Sequence, residues 1–171
     1  DLIVRGTVTQ VFPELDERGN VWTRAQVEIS EVLKGQSETR AVLVDQMGGV
    51  HGNKYSVIRL ASRFSVGEEA IFFLEHLRSG RTSVVGWYQG KFTVRVDPES
   101  TQEMLVRFTL PQDRLYDHRF IPHPAPEKRV YVPEFTDRVL RRVEDGWDGL
   151  PIPGADPLKL RRINRLQQGV K

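Results

Sequence analysis

The feature that most constrains this fold is a period-two alternation of side chains along residues 21–29. In "VWTRAQVEI" the odd positions, from Val21 through Ala25 to Ile29, are apolar or threonine, and the even positions between them are Trp22 and polar residues. A strand points successive side chains to opposite faces of a sheet, so this pattern predicts a half-buried β-strand. We expect its odd positions to face the core and Trp22 to face outward.

Short apolar or alternating segments of this kind recur through residue 110 and are separated by turn signals rich in glycine. They cover residues 2–11, 41–45, 55–61, 64–75, 81–97 and 104–110, and the segment 81–97 reads as a hairpin around Gln89 and Gly90. Many short strands with little helix predict a mainly β domain over residues 1–118, built as a small closed antiparallel barrel. Closure is favoured because it removes exposed sheet edges. Gly6 and Gly86 fall inside predicted strands, where glycine marks a bulge or a bend.

The composition changes after Arg119, and residues 119–171 read as a proline-rich, basic docking arm. Residues 120–135 hold four prolines and predict a stiff, extended connector. A helix is predicted near 133–145, with Pro133 in its first turn and Gly146 at its end. A second short helix is predicted over 157–168, because Asp156 can cap it and Pro157 suits its first position.

The charge is divided unequally between the two parts. The chain carries +2 overall, but residues 1–118 hold 14 basic against 16 acidic side chains, a net of −2, and residues 119–171 hold 11 against 7, a net of +4. Such asymmetry points to an anionic neighbour, although a solvated basic face is the plainer interpretation.

The two predicted helices supply the candidate partner-binding residues. Each has an apolar stripe that must be covered, and the second helix adds a basic face. We expect the arm to bind a protein with an acidic surface, or one associated with a membrane; packing on the chain's own barrel and binding to a membrane surface stay open as alternatives. The candidates are Phe135, Val139, Val143, Trp147, Lys159, Leu160, Arg161, Arg162, Ile163, Arg165 and Leu166.

Four stretches in this order resemble the netrin/TIMP-like family of OB barrels, in particular its bacterial secreted members: "DLIVRGTVTQV", "TRAQVEISEVLKG", "FSVGEEAIFFLE" and "VVGWYQGKF". The resemblance covers residues 1–96 approximately. It implies an OB-type barrel, a periplasmic or extracellular location and a binding role. The animal protease inhibitors of this family begin with a cysteine that grips the target zinc, whereas this chain has Asp1 there and no cysteine at all. The resemblance therefore supports the fold and not metalloprotease inhibition.

Catalysis, cofactors and nucleic acid are not expected. The four histidines are scattered and no Gly-x-Ser-x-Gly elbow is present, and the negative balance of residues 1–118 opposes phosphate-backbone binding despite the aromatic residues there. A weak metal candidate is formed by Asp113, Asp117, His118 and His123, whose spacing matches no standard ligand motif.

The membrane and the chain start give two further expectations. No apolar run approaches the length of about 18 residues that a membrane span needs. Because Asp1 opens directly into a strand pattern, we expect that an upstream segment has been removed.

Together these observations predict a non-enzymatic interaction module. Its role would be that of an extracytoplasmic accessory subunit that stabilises or links a larger assembly, for instance a membrane-embedded respiratory or photosynthetic complex. A secreted protease inhibitor or regulator is the alternative hypothesis, and a metal-dependent hydrolase using Asp113, Asp117 and the two nearby histidines is the third.

Overall fold

A computed structural model describes residues 1–59, 61–107, 115–116, 122–123 and 129–146. In this part of the chain the secondary structure is mainly β, as the sequence predicts, with one helix near its end. The elements are β1 (Leu2–Leu15), β2 (Val21–Lys34), β3 (Ala41–Met47), β4 (Gly49–His51), β5 (Lys54–Ser56), β6 (Glu69–His76), β7 (Thr82–Val84), β8 (Lys91–Val96), β9 (Glu103–Arg107), β10 (Leu115–Tyr116), β11 (Pro122–His123), β12 (Val130–Tyr131) and α1 (Val132–Glu144).

Eight strands form one antiparallel sheet in the order β12-β9-β8-β6-β1-β2-β3, with β7 also paired to β6. β7 and β8 lie end to end along one edge of β6, since β7 pairs with Leu74–His76 and β8 with Ala70–Phe72. The hairpin expected around Gln89 and Gly90 is therefore not formed. Residues 85–90 instead make a loop that is hydrogen-bonded to Phe73. The Phe73 amide donates to the Gly90 carbonyl at 2.7 Å, and the Phe73 carbonyl accepts from the Val85 amide at 2.9 Å.

The closed barrel expected from the sequence is not found among the described strands. Backbone pairing does not join β3 to β7 or to β12 there, so the hydrogen-bonded sheet is open. β7 nonetheless lies against β3. Side chains bridge the two strands, because Arg81, directly before β7, donates to Asp45 of β3 at 3.0 Å. The sheet curls far enough for its strands to meet without completing the backbone ladder.

The curl begins in the long pair of β1 and β2. Their register shifts at three places, one of them between Arg5 and Gly6, and each shift increases the local bend and twist. Gly6 is required at this bend because a Cβ there would lie 2.4 Å from the Glu28 carbonyl oxygen. The predicted bend at Gly6 is confirmed, whereas Gly86 lies in the 85–90 loop with φ at 62° and not in a strand.

Both faces of the sheet are covered. On one face the larger core contains alternate residues of β1, such as Leu2 and Val4, with Ala25 and Val27 of β2 and Phe72 of β6. On the other face Ile3, Leu33, Ile71, Val94 and Val132 form a second core beneath α1. Burial on two faces explains why "AIFFL" in β6 is an unbroken apolar run.

The helix spans Val132–Glu144, so it begins and ends one residue earlier than predicted. Pro133 lies in its first turn and Gly146, with φ at 64°, follows its end, as the sequence predicts. β12 is the edge strand of the sheet, paired with β9, and α1 packs on the face of the sheet. Residues 129–146 of the docking arm therefore belong structurally to the body of the protein. The second predicted helix, 157–168, lies outside the described residues.

Candidate functional site

Three phenylalanine rings form the junction between α1 and the sheet. Phe73 of β6, Phe92 of β8 and Phe135 of α1 have ring centroids 4.9 to 6.1 Å apart, at interplanar angles of 46° to 73°. These are the separations and tilts at which aromatic pairs attract beyond simple burial of area. Val132, 4 % exposed, closes the same junction at the start of the helix. The apolar stripe of α1 is thus held by the chain's own strands.

This junction changes the assignment of two predicted partner-binding residues. Phe135 and Val139, expected to contact another chain, pack instead against the second core. The physical reason is that an amphipathic helix must bury its stripe, and the face of the sheet around Ile71 is the apolar surface next to it. Val143, in the last turn, is half-buried. The other candidates lie outside the described residues: Trp147, Lys159, Leu160, Arg161, Arg162, Ile163, Arg165 and Leu166.

A buried carboxylate provides a second, polar anchor for α1. Asp97, 0 % exposed, follows β8, and its Oδ2 accepts hydrogen bonds from Ser100 Oγ at 2.7 Å and from the Tyr131 hydroxyl at 2.9 Å. Arg129 Nη1 donates to the same oxygen at 3.3 Å and to Glu99 Oε2 at 2.6 Å. Asp97 therefore ties the β8–β9 turn to the two residues that lead into the helix.

These contacts favour the charged forms of the groups involved. The hydrogen bonds from Ser100 and from the Glu99 amide, with smaller contributions from Tyr131 and Arg129, hold the pKa of Asp97 below its ordinary value. The Arg129 guanidinium lowers the pKa of Glu99, and the two carboxylates raise the pKa of Arg129. A lowered acid pKa stabilises the fold above the unfolded-state value and stops doing so as the pH falls through the folded-state value. The polar anchor is therefore intact at neutral pH and weakens in strong acid.

The outward face of α1 is charged and nearly balanced. Glu134, Asp137, Arg138, Arg141 and Arg142 are exposed, and the Asp137–Arg141 pair is 4.0 Å apart. Exposed pairs at this spacing contribute about 0.3–0.5 kcal/mol. The face that α1 presents to solvent is thus polar.

A second charged network lies where β7 meets β3. Asp45, whose side chain is 4 % exposed, accepts from Arg24 Nε at 2.7 Å and from Arg81 Nη1 at 3.0 Å. Glu14 Oε2 lies 2.8 Å from Arg24 Nη1, close enough for an ion pair but without hydrogen-bond geometry. The network thus joins β1, β2, β3 and the start of β7.

Trp22 completes this network on the face of β2 that carries Arg24, and it is buried there instead of exposed. It was expected to face outward, but it is 8 % exposed, with the Arg81 guanidinium 4.6 Å above its ring and its Nε1 donating to Asp16 at 3.1 Å. A cation over an indole face is favourable, and more so when water is excluded. Alternation alone could not reveal a covering side chain that comes from 59 residues further along the chain.

The metal candidate is not described by the structure. Asp113, Asp117 and His118 lie outside the described residues, and for His123 only the strand backbone is described. Elsewhere among the described residues, no three His, Asp or Glu side chains lie close enough together to hold a metal ion. His76 Nδ1 lies 2.9 Å from the Thr82 hydroxyl, across the β6–β7 pair.

The polar anchor was missed by sequence reasoning. "DPES" after a strand predicts a turn in which Asp97 bonds its own neighbours, and that local part is present. The partners Arg129 and Tyr131 are 32 and 34 residues away along the chain. No pattern in the sequence connects them to Asp97.

Comparison with protein-family models, with curated proteins and with solved structures finds no match to this chain. In the part of the chain that the structure describes, the helix is too short and too polar to cross a bilayer.

Proposed function

We propose that this protein is a non-enzymatic interaction module that presents a basic tail, residues 147–171, to another protein. The observation that carries the proposal is the double anchoring of α1 through the Phe73–Phe92–Phe135 junction and the Asp97 network. Because α1 is fixed, the tail starts at the end of an anchored helix. A binding segment that starts from a fixed point loses less freedom on binding than one on a loose tether.

The charge of the tail indicates the chemistry of the partner. Residues 147–171 carry five basic side chains against two acidic ones, and Arg161, Arg162 and Arg165 lie in a stretch without any acid. Guanidinium groups bind carboxylates through paired hydrogen bonds, so an acidic protein surface is the natural complement. The proposed partner is a protein with such a surface, free or associated with a membrane.

The resemblance to the netrin/TIMP-like OB barrels enters this proposal as well. It is supported by the long bent pair β1–β2 with its register shifts and by the approach of β7 to β3. On that basis we propose an OB-type architecture that works outside the cytoplasm, in the periplasm or beyond the cell. The role would be that of an accessory subunit that stabilises or links a larger assembly.

The test compares the unaltered, full-length tagged protein with three variants, all expressed in the native cell. One form ends at Gly146, which keeps the junction intact; ending the chain before α1 would expose Phe73 and Phe92. The second replaces Arg161, Arg162 and Arg165 by glutamine. The third replaces Arg138, Arg141 and Arg142, on the exposed face of α1, by glutamine. It is the matched control, because it loses the same amount of charge as the tail variant.

Co-purification in mild detergent is then quantified by mass spectrometry for each form. We expect a stoichiometric protein partner with the unaltered chain and the control, and at least a tenfold loss of it with the truncated and tail-neutralised forms. An equal yield of the partner from all forms would contradict the proposal. Thermal unfolding of each form shows whether a loss reflects the tail or the fold.

A further inference from the structure

A cleft of about 290 Å³ opens on the side of β8 that faces away from α1. Phe92 and Val94 of β8 point to the helix, so the alternate residues Lys91, Thr93 and Arg95 point to the opposite face. They form the floor of the cleft, and Val106 of β9 extends it. Residues of the 59–65 segment form its outer wall.

The outer wall of the cleft is fixed to the floor and to the 85–90 loop. Lys91 Nζ reaches from the floor to the wall, where it donates to the Arg63 carbonyl and lies 5.3 Å from the centre of the Phe64 ring. Ser62, also in the wall, donates through its hydroxyl to the Trp87 carbonyl at 2.7 Å. The cleft is therefore a preformed feature of the fold and does not depend on closure around a ligand.

The charge inside the cleft is strongly one-sided. Four basic residues line it, Arg59, Arg63, Lys91 and Arg95, with Glu68 as the single acid. Glu68 is already satisfied, since its carboxylate lies 2.7 Å from Lys91 Nζ and accepts from the Thr93 hydroxyl at 2.6 Å. The side chains of Lys91 and Glu68 are each 10 % exposed. This pair neutralises itself and leaves the three arginines.

The three arginines have no counter-charge in the part of the chain that the structure describes. No carboxylate there lies within 4.0 Å of Arg59, Arg63 or Arg95, whereas Arg5, Arg24, Arg81 and Arg129 each contact two. What sets these three exposed arginines apart is that they share one cleft, in a region of the chain, residues 1–118, whose net charge is negative. Like charges gathered in one cleft repel each other, and a bound anion removes that cost.

We propose that this cleft binds a small molecule through a tetrahedral oxyanion, a phosphate or sulfate group, held by Arg63 and Arg95 with support from Arg59. Guanidinium forks match phosphate oxygens in pairs. A planar carboxylate presents its two oxygens in one plane, whereas a tetrahedral group offers oxygens in several directions, to Arg63 on the wall and to Arg95 on the floor. The volume is near the lower limit of small-molecule sites and suits the anion with a short substituent. The residues that line this site lie between Arg59 and Val106 of the chain, and the site goes beyond the proposed function.

The test measures binding of inorganic phosphate, inorganic sulfate and glycerol 3-phosphate to the full chain by calorimetry and by amide chemical shifts. We expect saturable binding of all three at low ionic strength, with shifts confined to the cleft. Arg63→Gln and Arg95→Gln should each weaken the affinity about tenfold, the usual effect of losing one charge-assisted contact. The double variant should not bind. Arg78→Gln, an exposed arginine in the β6–β7 turn, is the matched control and should bind as the unaltered chain does.

Arg63→Lys and Arg95→Lys keep the charge and remove the fork, and they are expected to bind more weakly than the unaltered chain while unfolding at the same temperature. Acetate and chloride at matched ionic strength should not compete. The proposal is overturned if neither phosphate nor sulfate saturates, if the cleft variants bind like Arg78→Gln, or if acetate binds as tightly. Sedimentation with vesicles of phosphatidylcholine and phosphatidylglycerol shows whether the phosphate group belongs to a lipid headgroup or to a free small molecule. Retention of the protein on vesicles, without binding of glycerol 3-phosphate, would also overturn the proposal.

Discussion

At the scale of single residues, one carboxylate organises the turn between β1 and β2. Asp16 Oδ1 accepts from the amides of Arg18 and Asn20 at 3.0 and 2.8 Å, and Oδ2 accepts from Asn20 Nδ2 at 2.9 Å and from Trp22 Nε1. The Asn20 side chain and amide, followed by Trp22 and Arg18, lower the pKa of Asp16 to about 2. The turn is thus held by a charged acceptor whose donors all come from the next six residues.

This lowered pKa predicts a stability change in acid. The ordinary value is 3.8, so the contribution of Asp16 is complete above about pH 4 and is lost as the pH falls toward about 2. Asp16→Asn should lower the free energy of unfolding at neutral pH and flatten its decline over that window. Urea unfolding at several pH values measures both effects. Glu17→Gln, an exposed carboxylate of the same turn, is the control, and parallel acid curves for the unaltered chain and Asp16→Asn would contradict the prediction.

At the scale of elements, the helix shows what the sequence could and could not predict. The spacing of Phe135, Val139 and Leu140, with Pro133 and Gly146 at the ends, predicts the helix nearly to the residue. What covers its apolar stripe is decided by residues far away along the chain, such as Phe73 and Phe92. Local periodicity reports that a face must be buried, but it contains no information about the surface that buries it.

The aromatic junction predicts a measurable loss when one ring is removed. Phe135→Ala should lower the free energy of unfolding by about 2–3 kcal/mol, somewhat less than a fully buried phenylalanine, because Phe135 is half-buried. Chemical denaturation measures the change, and amide exchange of α1 should accelerate more than that of β1. Glu134→Ala, on the exposed face next to it, is the control. If Phe135→Ala lowers the free energy of unfolding no more than Glu134→Ala does, the junction does not hold the helix.

At the scale of the whole molecule, the longer strands were predictable and their neighbours in the sheet were not. The predicted strand segment 55–61 is wrong in its bounds, since among its described residues only Tyr55 and Ser56 belong to a strand, β5. Alternation predicts β2, and the apolar runs predict β3 and β6, because these signals lie within a few residues. The placement of β7 and β8 end to end along β6 depends on the 85–90 loop and its bonds to Phe73. The open ladder between β3 and β7 likewise depends on side chains, with Arg81 and Asp45 in place of backbone pairing.

This side-chain bridge predicts a variant that loosens the sheet without removing a strand. Arg81→Met keeps the length of the side chain and removes its bonds to Asp45 and its charge above Trp22. We expect a loss of about 2–3 kcal/mol, less than for an isolated buried pair, because Arg24 still neutralises Asp45. Hydrogen exchange should quicken first in β3 and β7. Arg78→Met, exposed in the adjoining turn, is the control, and unchanged exchange in β3 would refute the bridge.

Asp45 also has a consequence for how copies of this protein behave toward one another. Among the described strands, β3 is the last of the backbone ladder, and an unpaired strand edge is a template on which a second chain can add and start an aggregate. The buried Asp45 carboxylate is held by two arginines, Arg24 and Arg81. If a foreign strand displaced β7, Arg81 would leave with it, and the buried charge at Asp45 would lose one of its two partners at a cost in free energy. By holding β7 against β3, Asp45 therefore also protects this edge from pairing with another copy of the chain.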